Sequence, residues 1–111
     1  MKTKLGKLSN VRLGLGGYQD ACLGLLVTIT GEGWGVGDSK TAWDVNLITH
    51  TEHCKWTEES RSKQYDEIMR YISDLLCDAK VDEIDKLNGI PVEATFENTN
   101  LKSWRILTEV L

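Results

Sequence analysis

Two arginines, Arg12 and Arg105, are the side chains best suited to bind an anion. Each lies among apolar residues in a stretch that alternates like a β-strand, where a guanidinium without a partner would be costly. A phosphate that accepts two parallel hydrogen bonds would satisfy such a guanidinium. A carboxylate would do so as well, and Glu93, Glu109 and Asp20 are the candidates. Both kinds of partner therefore stay open at this point.

A polar cluster with an aromatic ring follows the glycines of the stretch GLGGYQDA, residues 14–21. Tyr18 offers a stacking surface, Gln19 an amide that reads the edge of a base, and Asp20 a carboxylate that accepts hydrogen bonds from ribose hydroxyls. The glycines before the cluster permit a sharp reversal of the chain. The cluster is therefore either part of a nucleotide site or a hairpin turn in which Asp20 bonds its own backbone.

The stretch TITGEGWGVGDSKTAW, residues 28–43, carries glycine at every second position from Gly31 to Gly37. In an extended strand these glycines share one face, which then has no side chains. Each costs about 0.5–1 kcal/mol relative to alanine, so we expect close approach by a bulky group to offset the cost. That group is either internal, such as Trp43 or the helix predicted below, or external, as a flat ligand or a second copy of the chain.

The same stretch does not fit a phosphate-binding P-loop, although Lys40 and Thr41 follow the glycines. That motif requires glycine immediately before the lysine and again five residues earlier, where this chain has Ser39 and Trp34. The residues after Thr41 alternate like a strand, whereas a P-loop opens a helix. We therefore predict a turn at residues 31–33 and a glycine-rich strand after it.

No arrangement of side chains in the sequence indicates catalysis. There is no Ser-His-Asp spacing, no Cys-His pairing and no pair of carboxylates in apolar surroundings. His50, His53 and Cys54 lie close together, but no second Cys or His pair exists to complete a tetrahedral metal site. We therefore expect a binding protein without metal or cofactor rather than an enzyme.

The length and charge of the chain indicate one small cytosolic domain. The 111 residues are enough for a single domain, 1–111, and the net charge of −4 argues against sequence-blind binding to a nucleic acid polymer. Three scattered cysteines fit reduced thiols. No apolar run approaches the roughly 20 residues of a membrane span, and no signal-peptide pattern is present. We therefore expect no membrane partner.

The elements that would position these side chains are several strands and one long helix. The helix is predicted over 57–79, with Thr57 as N-cap and an apolar stripe of Ile68, Met69, Ile72, Leu75, Leu76 and Ala79. A short helical turn within 81–90 ends at Asn88-Gly89. The strand candidates are 7–18, 21–30 (central and buried on both faces), 33–38, 42–48, 92–97 and 101–111, with Asn98 to Asn100 as the last hairpin turn.

In the last of these strands one face is expected to carry Trp104, Ile106, Thr108 and Val110. Together the elements predict an α+β fold, with an antiparallel or mixed sheet of about five strands and one long amphipathic helix packed on it.

Four stretches resemble a family of small bacteriophage proteins, the Thoeris anti-defence protein one family. They are VRLGLGGYQDA, GWGVGDSKTAWD, CKWTEESR and LKSWRILTEVL, and the resemblance runs from about residue 11 to the last residue. It implies a sponge that acts in the host cell cytoplasm. Such a protein binds cyclic ADP-ribose isomers made by a TIR-domain enzyme and holds them without cleavage. The family also implies assembly into homodimers or larger rings and, in some members, binding of cyclic oligonucleotides at separate sites.

With such a ligand, the residues singled out above would take distinct roles. The phosphates would meet Arg105 and Arg12, and the adenine would stack on Phe96, Tyr18 or Trp104. Asn98 or Asn100 would read a polar edge, beside Gln19 and Asp20. The competing hypothesis is a phage structural or accessory protein whose glycine face packs against a partner protein and which binds no small molecule.

Overall fold

The computed structural model of the protein describes residues 1–16, 22–43 and 58–111. Five strands form one antiparallel sheet in the order β3-β2-β1-β4-β5, and one long helix packs on it. This confirms the predicted α+β fold. The elements are β1 (Lys2–Gly16), β2 (Cys22–Gly31), β3 (Trp34–Trp43), α1 (Glu58–Ala79), β4 (Pro91–Glu97) and β5 (Asn100–Ile106), with 3-10 helices at Ile84–Leu87 and Thr108–Val110.

Strand β1 is long and bent because it belongs to two parts of the sheet. Residues 2–7 pair with β4, and residues 7–16 pair with β2. A bulge separates the pair Ser9–Thr28 from the pair Arg12–Leu26, and Asn10 within it has a φ of 48°. Bulges bend a strand and increase its twist. The bulge therefore marks the point where β1 leaves β4.

The bulge is tied to the segment that precedes β4. The Val11 N–H donates to Asn88 Oδ1 at 3.0 Å. Leu8 exchanges two backbone hydrogen bonds with this segment, donating to Ile90 at 3.0 Å and accepting from Gly89 at 2.7 Å. Asn88 and Gly89 follow the 3-10 helix as predicted. The Asn88 side chain also accepts a hydrogen bond from the bulged part of β1.

The sheet curls so far that side chains connect its two edge regions. The Trp104 indole Nε1–H on β5 donates to Asp38 Oδ2 on β3 at 2.7 Å. The rings of Trp34 on β3 and Phe96 on β4 meet edge to face, with their centroids 5.4 Å apart. Within residues 1–16, 22–43 and 58–111, backbone pairs join β3 only to β2 and β5 only to β4. The seam between β3 and β5 is therefore closed by side chains.

Helix α1 covers the concave face of the sheet with one side. Ile68, Ile72, Leu75 and Ala79 are buried and join a core that includes Leu8, Val27, Ile29, Leu87, Val92 and Ile106. The predicted stripe is confirmed for these four helix residues. Met69 is 64% exposed, because it lies at the border of the stripe, about 100° around the helix from Ile68. Thr57 lies outside the described residues.

Strand β2 lies inside the sheet, between β3 and β1, but the prediction that both its faces are buried is wrong. Leu25, Val27 and Ile29 are buried on the concave face, whereas Leu26 and Thr28 on the convex face are only half-buried. The reason is that α1, the one long helix among the described residues, packs on the concave side of the sheet. On the convex face Gly35, Gly37 and Ser39 are exposed, whereas Gly16 and Gly24 are buried.

The glycine stretch makes a hairpin and not a single extended run. Residues 32 and 33 join β2 to β3, and Gly33 has a φ of 78°, which glycine adopts at little cost. The Trp34 indole packs directly on Gly31. The predicted turn at residues 31–33 is therefore confirmed. Gly35 and Gly37 share the exposed strand face, whereas Gly31 ends β2 and Gly33 lies in the turn, so the four glycines do not share one face as they would in an extended run. Residues 44–48 of the next strand candidate lie outside the described residues.

The last strand ends earlier than predicted. It stops at Ile106, which pairs with Val92, and the Leu107 N–H still donates to the Pro91 carbonyl. Because β4 begins at Pro91, no partner remains for later residues. Thr108 to Val110 therefore form a 3-10 helix and do not continue the face of Trp104. No helix in the described parts of the chain has the length and apolar character of a membrane span.

Candidate functional site

A shallow groove lies on the convex face of the sheet, across β1, β2 and β3. Strand pairing places Arg12 beside Leu26 and Leu26 beside Ser39, and the neighbouring ladder position pairs Thr28 with Gly37. The groove has a volume of about 470 Å³. Its lining residues are Asn10, Arg12, Leu26, Val27, Thr28, Gly37, Asp38 and Ser39.

Arg12 supplies the positive charge of this groove. Its guanidinium is exposed, and Nη1 donates to the Leu15 carbonyl oxygen at 3.0 Å. Within residues 1–16, 22–43 and 58–111 no carboxylate forms an ion pair with it. An arginine has five N–H donors, so the remaining donors of Arg12 are available to an anion. Of the two predicted anion-binding arginines, Arg12 is the one that lines a groove without a carboxylate partner among the described residues.

Arg105 has a different environment, because two carboxylates surround it. Its Nη1 and Nη2 donate to the two carboxylate oxygens of Glu109 at 3.0 Å each, and its Nε donates to Glu93 Oε1 at 3.3 Å. The hydrogen bonds to Glu109 raise the pKa of Arg105 and lower the pKa of the Glu109 carboxyl. Pairing with Glu93 and Glu109, one of the two alternatives left open by the sequence, is what the structure shows.

The groove beside Arg105, between α1 and β5, is also lined by Asp74 and Asp78. With Glu93 and Glu109 close by, this surface carries more negative than positive charge. A phosphate there would meet four carboxylates and one guanidinium. Arg105 is therefore a weaker candidate for phosphate than Arg12.

The two predicted stacking rings within the described residues already have partners. Phe96 is 7% exposed, and Lys4 Nζ lies 5.4 Å from its ring centroid, close to the Trp34 ring as well. Trp104 is half-buried and uses its indole N–H on Asp38. Neither ring faces the Arg12 groove, because both belong to the seam on the concave side.

The remaining predicted residues lie apart from Arg12. Asn98, with a φ of 58°, and Asn100 form the tip of the β4–β5 hairpin. That tip neighbours Lys2, which pairs with Phe96. Lys2 precedes Arg12 by ten positions along β1, about 30 Å at about 3.3 Å per residue. Tyr18, Gln19 and Asp20 lie outside the described residues. The predicted site residues thus do not form one cluster within the described chain.

Sequence reasoning missed the neutral polar residues of the groove. Asn10, Thr28 and Ser39 line it beside Arg12. One signal for the bulge was present, since Leu8 and Val11 are three positions apart although the strand otherwise alternates every second residue. That break in period indicates a bulge, which places Leu8 and Val11 on the buried face and Arg12 on the opposite face.

A second concavity lies between α1 and the ends of β1 and β2 nearest Gly16 and Cys22. It has a volume of about 320 Å³ and a mainly apolar lining of Leu13, Leu23, Gly24, Arg61, Tyr65, Ile68 and Met69. Three apolar side chains in this region are well exposed: Leu13 at 54%, Leu15 at 44% and Met69 at 64%. This surface suits an apolar partner rather than a phosphate.

No group of three His, Cys, Asp or Glu side chains that would suit a metal ion occurs in the part of the chain that the structure describes. His50, His53 and Cys54 lie outside that part. Comparison of the chain with protein-family models, with curated proteins and with solved structures found no match.

Proposed function

We propose that the protein binds and sequesters a small phosphate-bearing cyclic nucleotide of the cyclic ADP-ribose type, without cleaving it. In this proposal, which takes its biological setting from the family resemblance, it is a phage anti-defence sponge in the host cell cytoplasm. The observation that carries the proposal is the exposed guanidinium of Arg12, which has no carboxylate partner among the described residues and belongs to a residue that lines a groove of about 470 Å³.

The lining of the groove supports a nucleotide of low charge. The Arg12 guanidinium suits one phosphate or pyrophosphate group through two parallel hydrogen bonds. Asn10, Thr28 and Ser39 offer neutral donors and acceptors for sugar hydroxyls. Gly37 adds no side chain, and the one contact among the described residues within 4 Å of a Cβ built there is the Val27 carbonyl oxygen at 3.9 Å, so a flat base has room against β3.

The chemistry of the lining residues favours binding of the nucleotide without cleavage. Hydrolysis of a phosphoanhydride or glycosidic bond needs a positioned general base or nucleophile. Among the described lining residues Ser39 is the one hydroxyl on β3, and no histidine accompanies it. The carboxylate of Asp38 accepts the Trp104 indole N–H at the seam.

Isothermal titration with cyclic ADP-ribose isomers tests the proposal. The wild type is expected to give saturable heat, and Arg12→Ala is expected to weaken binding about 10- to 150-fold, since a hydrogen bond to a charged group contributes about 1.5–3 kcal/mol. Arg105→Ala is the matched control, with the same loss of charge on the same sheet, and it should bind like the wild type. Absence of heat with every isomer in the wild type would refute the proposal.

Release of the ligand tests whether it is held intact. Protein loaded with cyclic ADP-ribose is denatured by heat, and the supernatant is analysed by mass spectrometry. We expect the unchanged cyclic nucleotide. Recovery of a hydrolysed product would move the protein into the class of enzymes.

A phage protein–protein interaction module is the second candidate function. The exposed Leu13, Leu15 and Met69 around the apolar concavity favour it, since contiguous exposed apolar patches mark interaction sites. Light scattering after size exclusion tests self-association, which the family resemblance also implies. Met69→Glu should then shift the oligomeric state while leaving nucleotide binding at the Arg12 groove unchanged.

A further inference from the structure

Two glycines underlie the guanidinium of Arg12. Arg12, Gly14 and Gly16 follow each other at every second position of β1, beyond the bulge, and so share the convex face. A Cβ built at Gly14 would lie 3.4 Å from Arg12 Nη1, and one built at Gly16 would lie 3.5 Å from Arg12 Nη2. The guanidinium therefore extends along the strand over both glycines, and Nη1 reaches the Leu15 carbonyl between them.

Backbone conformation does not explain these glycines. Among the described glycines only Gly33 and Gly89 have a positive φ, so Gly14 and Gly16 have backbones that other residues adopt. Glycine inside a strand costs about 0.5–1 kcal/mol relative to alanine. A Cβ at Gly14 would already touch the guanidinium at 3.4 Å, so a larger side chain there would displace it, and a Cβ at Gly16 would overlap Leu26 Cδ2 at 2.6 Å.

A guanidinium that is fixed before the ligand arrives binds more tightly. An arginine side chain carries about 2 kcal/mol of rotamer entropy, and ordering it in the free protein removes that cost from binding. One of its donors is used by Leu15, and a planar fork remains for two oxygens of one acidic group.

We infer that Gly14 and Gly16 are positioning residues for anion binding, and that the groove takes an oxyanion presenting two oxygens to the Arg12 fork, as a phosphodiester or pyrophosphate does. This inference rests on the proposed function. It goes further in naming what orients the arginine and which part of the ligand the arginine receives.

Three valine substitutions separate the roles of the convex-face glycines. Gly14→Val adds methyl groups beyond a Cβ that already lies 3.4 Å from Nη1, and is expected to displace the guanidinium. Gly37→Val fills the groove but leaves Arg12 in place. Gly35→Val is the matched control, since nothing but backbone and Thr30 Cγ2 lies within 4 Å of its added Cβ, both at 3.8 Å, and Gly35 does not line the groove.

Binding of cyclic ADP-ribose is the first measurement. We expect at least a tenfold loss of affinity in both Gly14→Val and Gly37→Val, and wild-type affinity in Gly35→Val. Gly14→Ala, whose Cβ would make a near-contact of 3.4 Å with Nη1, is the milder variant should valine prevent folding, and a smaller loss is expected there. Wild-type affinity in a folded Gly14→Val or Gly14→Ala variant would overturn the inference.

Arginine side-chain NMR in the absence of ligand is the second measurement, and a purely structural glycine would not affect it. In the wild type, rotation of the Arg12 guanidinium about the Nε–Cζ bond should be slow, and in Gly14→Val or Gly14→Ala it should be fast. Gly37→Val and Gly35→Val should keep it slow. Equal rotation rates in the wild type and the Gly14 variants would refute the positioning role.

The two measurements also separate this inference from the proposed function. If the wild type binds no cyclic ADP-ribose isomer, the proposed function fails. Titration with inorganic pyrophosphate, followed at the Arg12 Nε–Hε resonance, then tests the guanidinium alone. A shift in the wild type that is absent in the Gly14 variants supports the inference, and no shift in the wild type overturns it.

Discussion

Breaking the hydrogen bond between Trp104 and Asp38 should open the seam of the curled sheet. The Trp104 Nε1–H donates to Asp38 Oδ2 at 2.7 Å and joins β5 to β3, which share no backbone pairs. Trp104→Phe removes the donor and keeps a ring, and Asp38→Ala removes the acceptor. The two single variants and the double variant form a thermodynamic cycle in which the loss of ring area cancels.

The expected coupling energy follows from the partners and their exposure. A hydrogen bond to a charged group contributes about 1.5–3 kcal/mol. The Asp38 carboxylate is exposed and the indole is only half-buried, so the lower end applies, about 1.5 kcal/mol. For a domain of this size about 1 kcal/mol corresponds to about 4 °C in Tm. The coupling should therefore appear as a shift of about 6 °C.

Urea denaturation followed by far-ultraviolet circular dichroism measures the cycle, since that signal does not depend on Trp104. Each single variant should lose stability, and the double variant should lose less than the sum of the two. If the effects add to within about 0.3 kcal/mol, the two side chains are independent. That result would refute the view that this hydrogen bond closes the seam.

Three further predictions concern single residues. Gly35→Ala should raise the free energy of unfolding by about 0.5–1 kcal/mol in urea denaturation. Gly24→Ala should lower it, because the added Cβ would overlap the Lys40 carbonyl. A change of the same sign in both variants would contradict the geometry. Arg105→Ala should lower the Tm less than Trp104→Phe does, since its ion pairs are exposed. Burial, and then the nearby Asp38 carboxylate, raise the pKa of Tyr71 to about 12. The unfolded chain therefore loses this proton first, so stability should fall between pH 10 and 12. Alkaline unfolding of Tyr71→Phe should show a shallower fall, and an identical fall would contradict this.

Local patterns were enough to predict the main elements. The spacing of Ile68, Ile72, Leu75 and Ala79 predicted the helix, because apolar residues that recur at this period form one continuous face only on a helix. The last hairpin followed from its turn residues, and Asn98 indeed takes the positive φ that asparagine tolerates. In both cases the residues that carry the signal lie close together in the chain.

The arrangement of the candidate site could not be predicted in the same way. Arg12 and Arg105 have similar neighbours in sequence, yet one lies in an open groove and the other is paired with Glu93 and Glu109. The difference depends on where β5 ends, since the 3-10 helix after Ile106 brings Glu109 back to Arg105. The contact of Phe96 with Trp34 depends on strand pairs across most of the chain, because β2 and β1 lie between β3 and β4 in the sheet.

Strand β1 pairs with both β2 and β4, and this affects the order in which parts of the protein fold. Its residues 7–16 meet β2 within a short span of sequence, so this part, with β3, is able to form as soon as the ribosome has released it. The pairing of residues 2–7 must wait for β4, since Lys2 meets Phe96, and such distant contacts form slowly. Until β4 forms, the backbone N–H and C=O groups of β1 that later pair with it are exposed and can pair with another strand. Pulse-labelled amide exchange should therefore find residues 2–7 protected last.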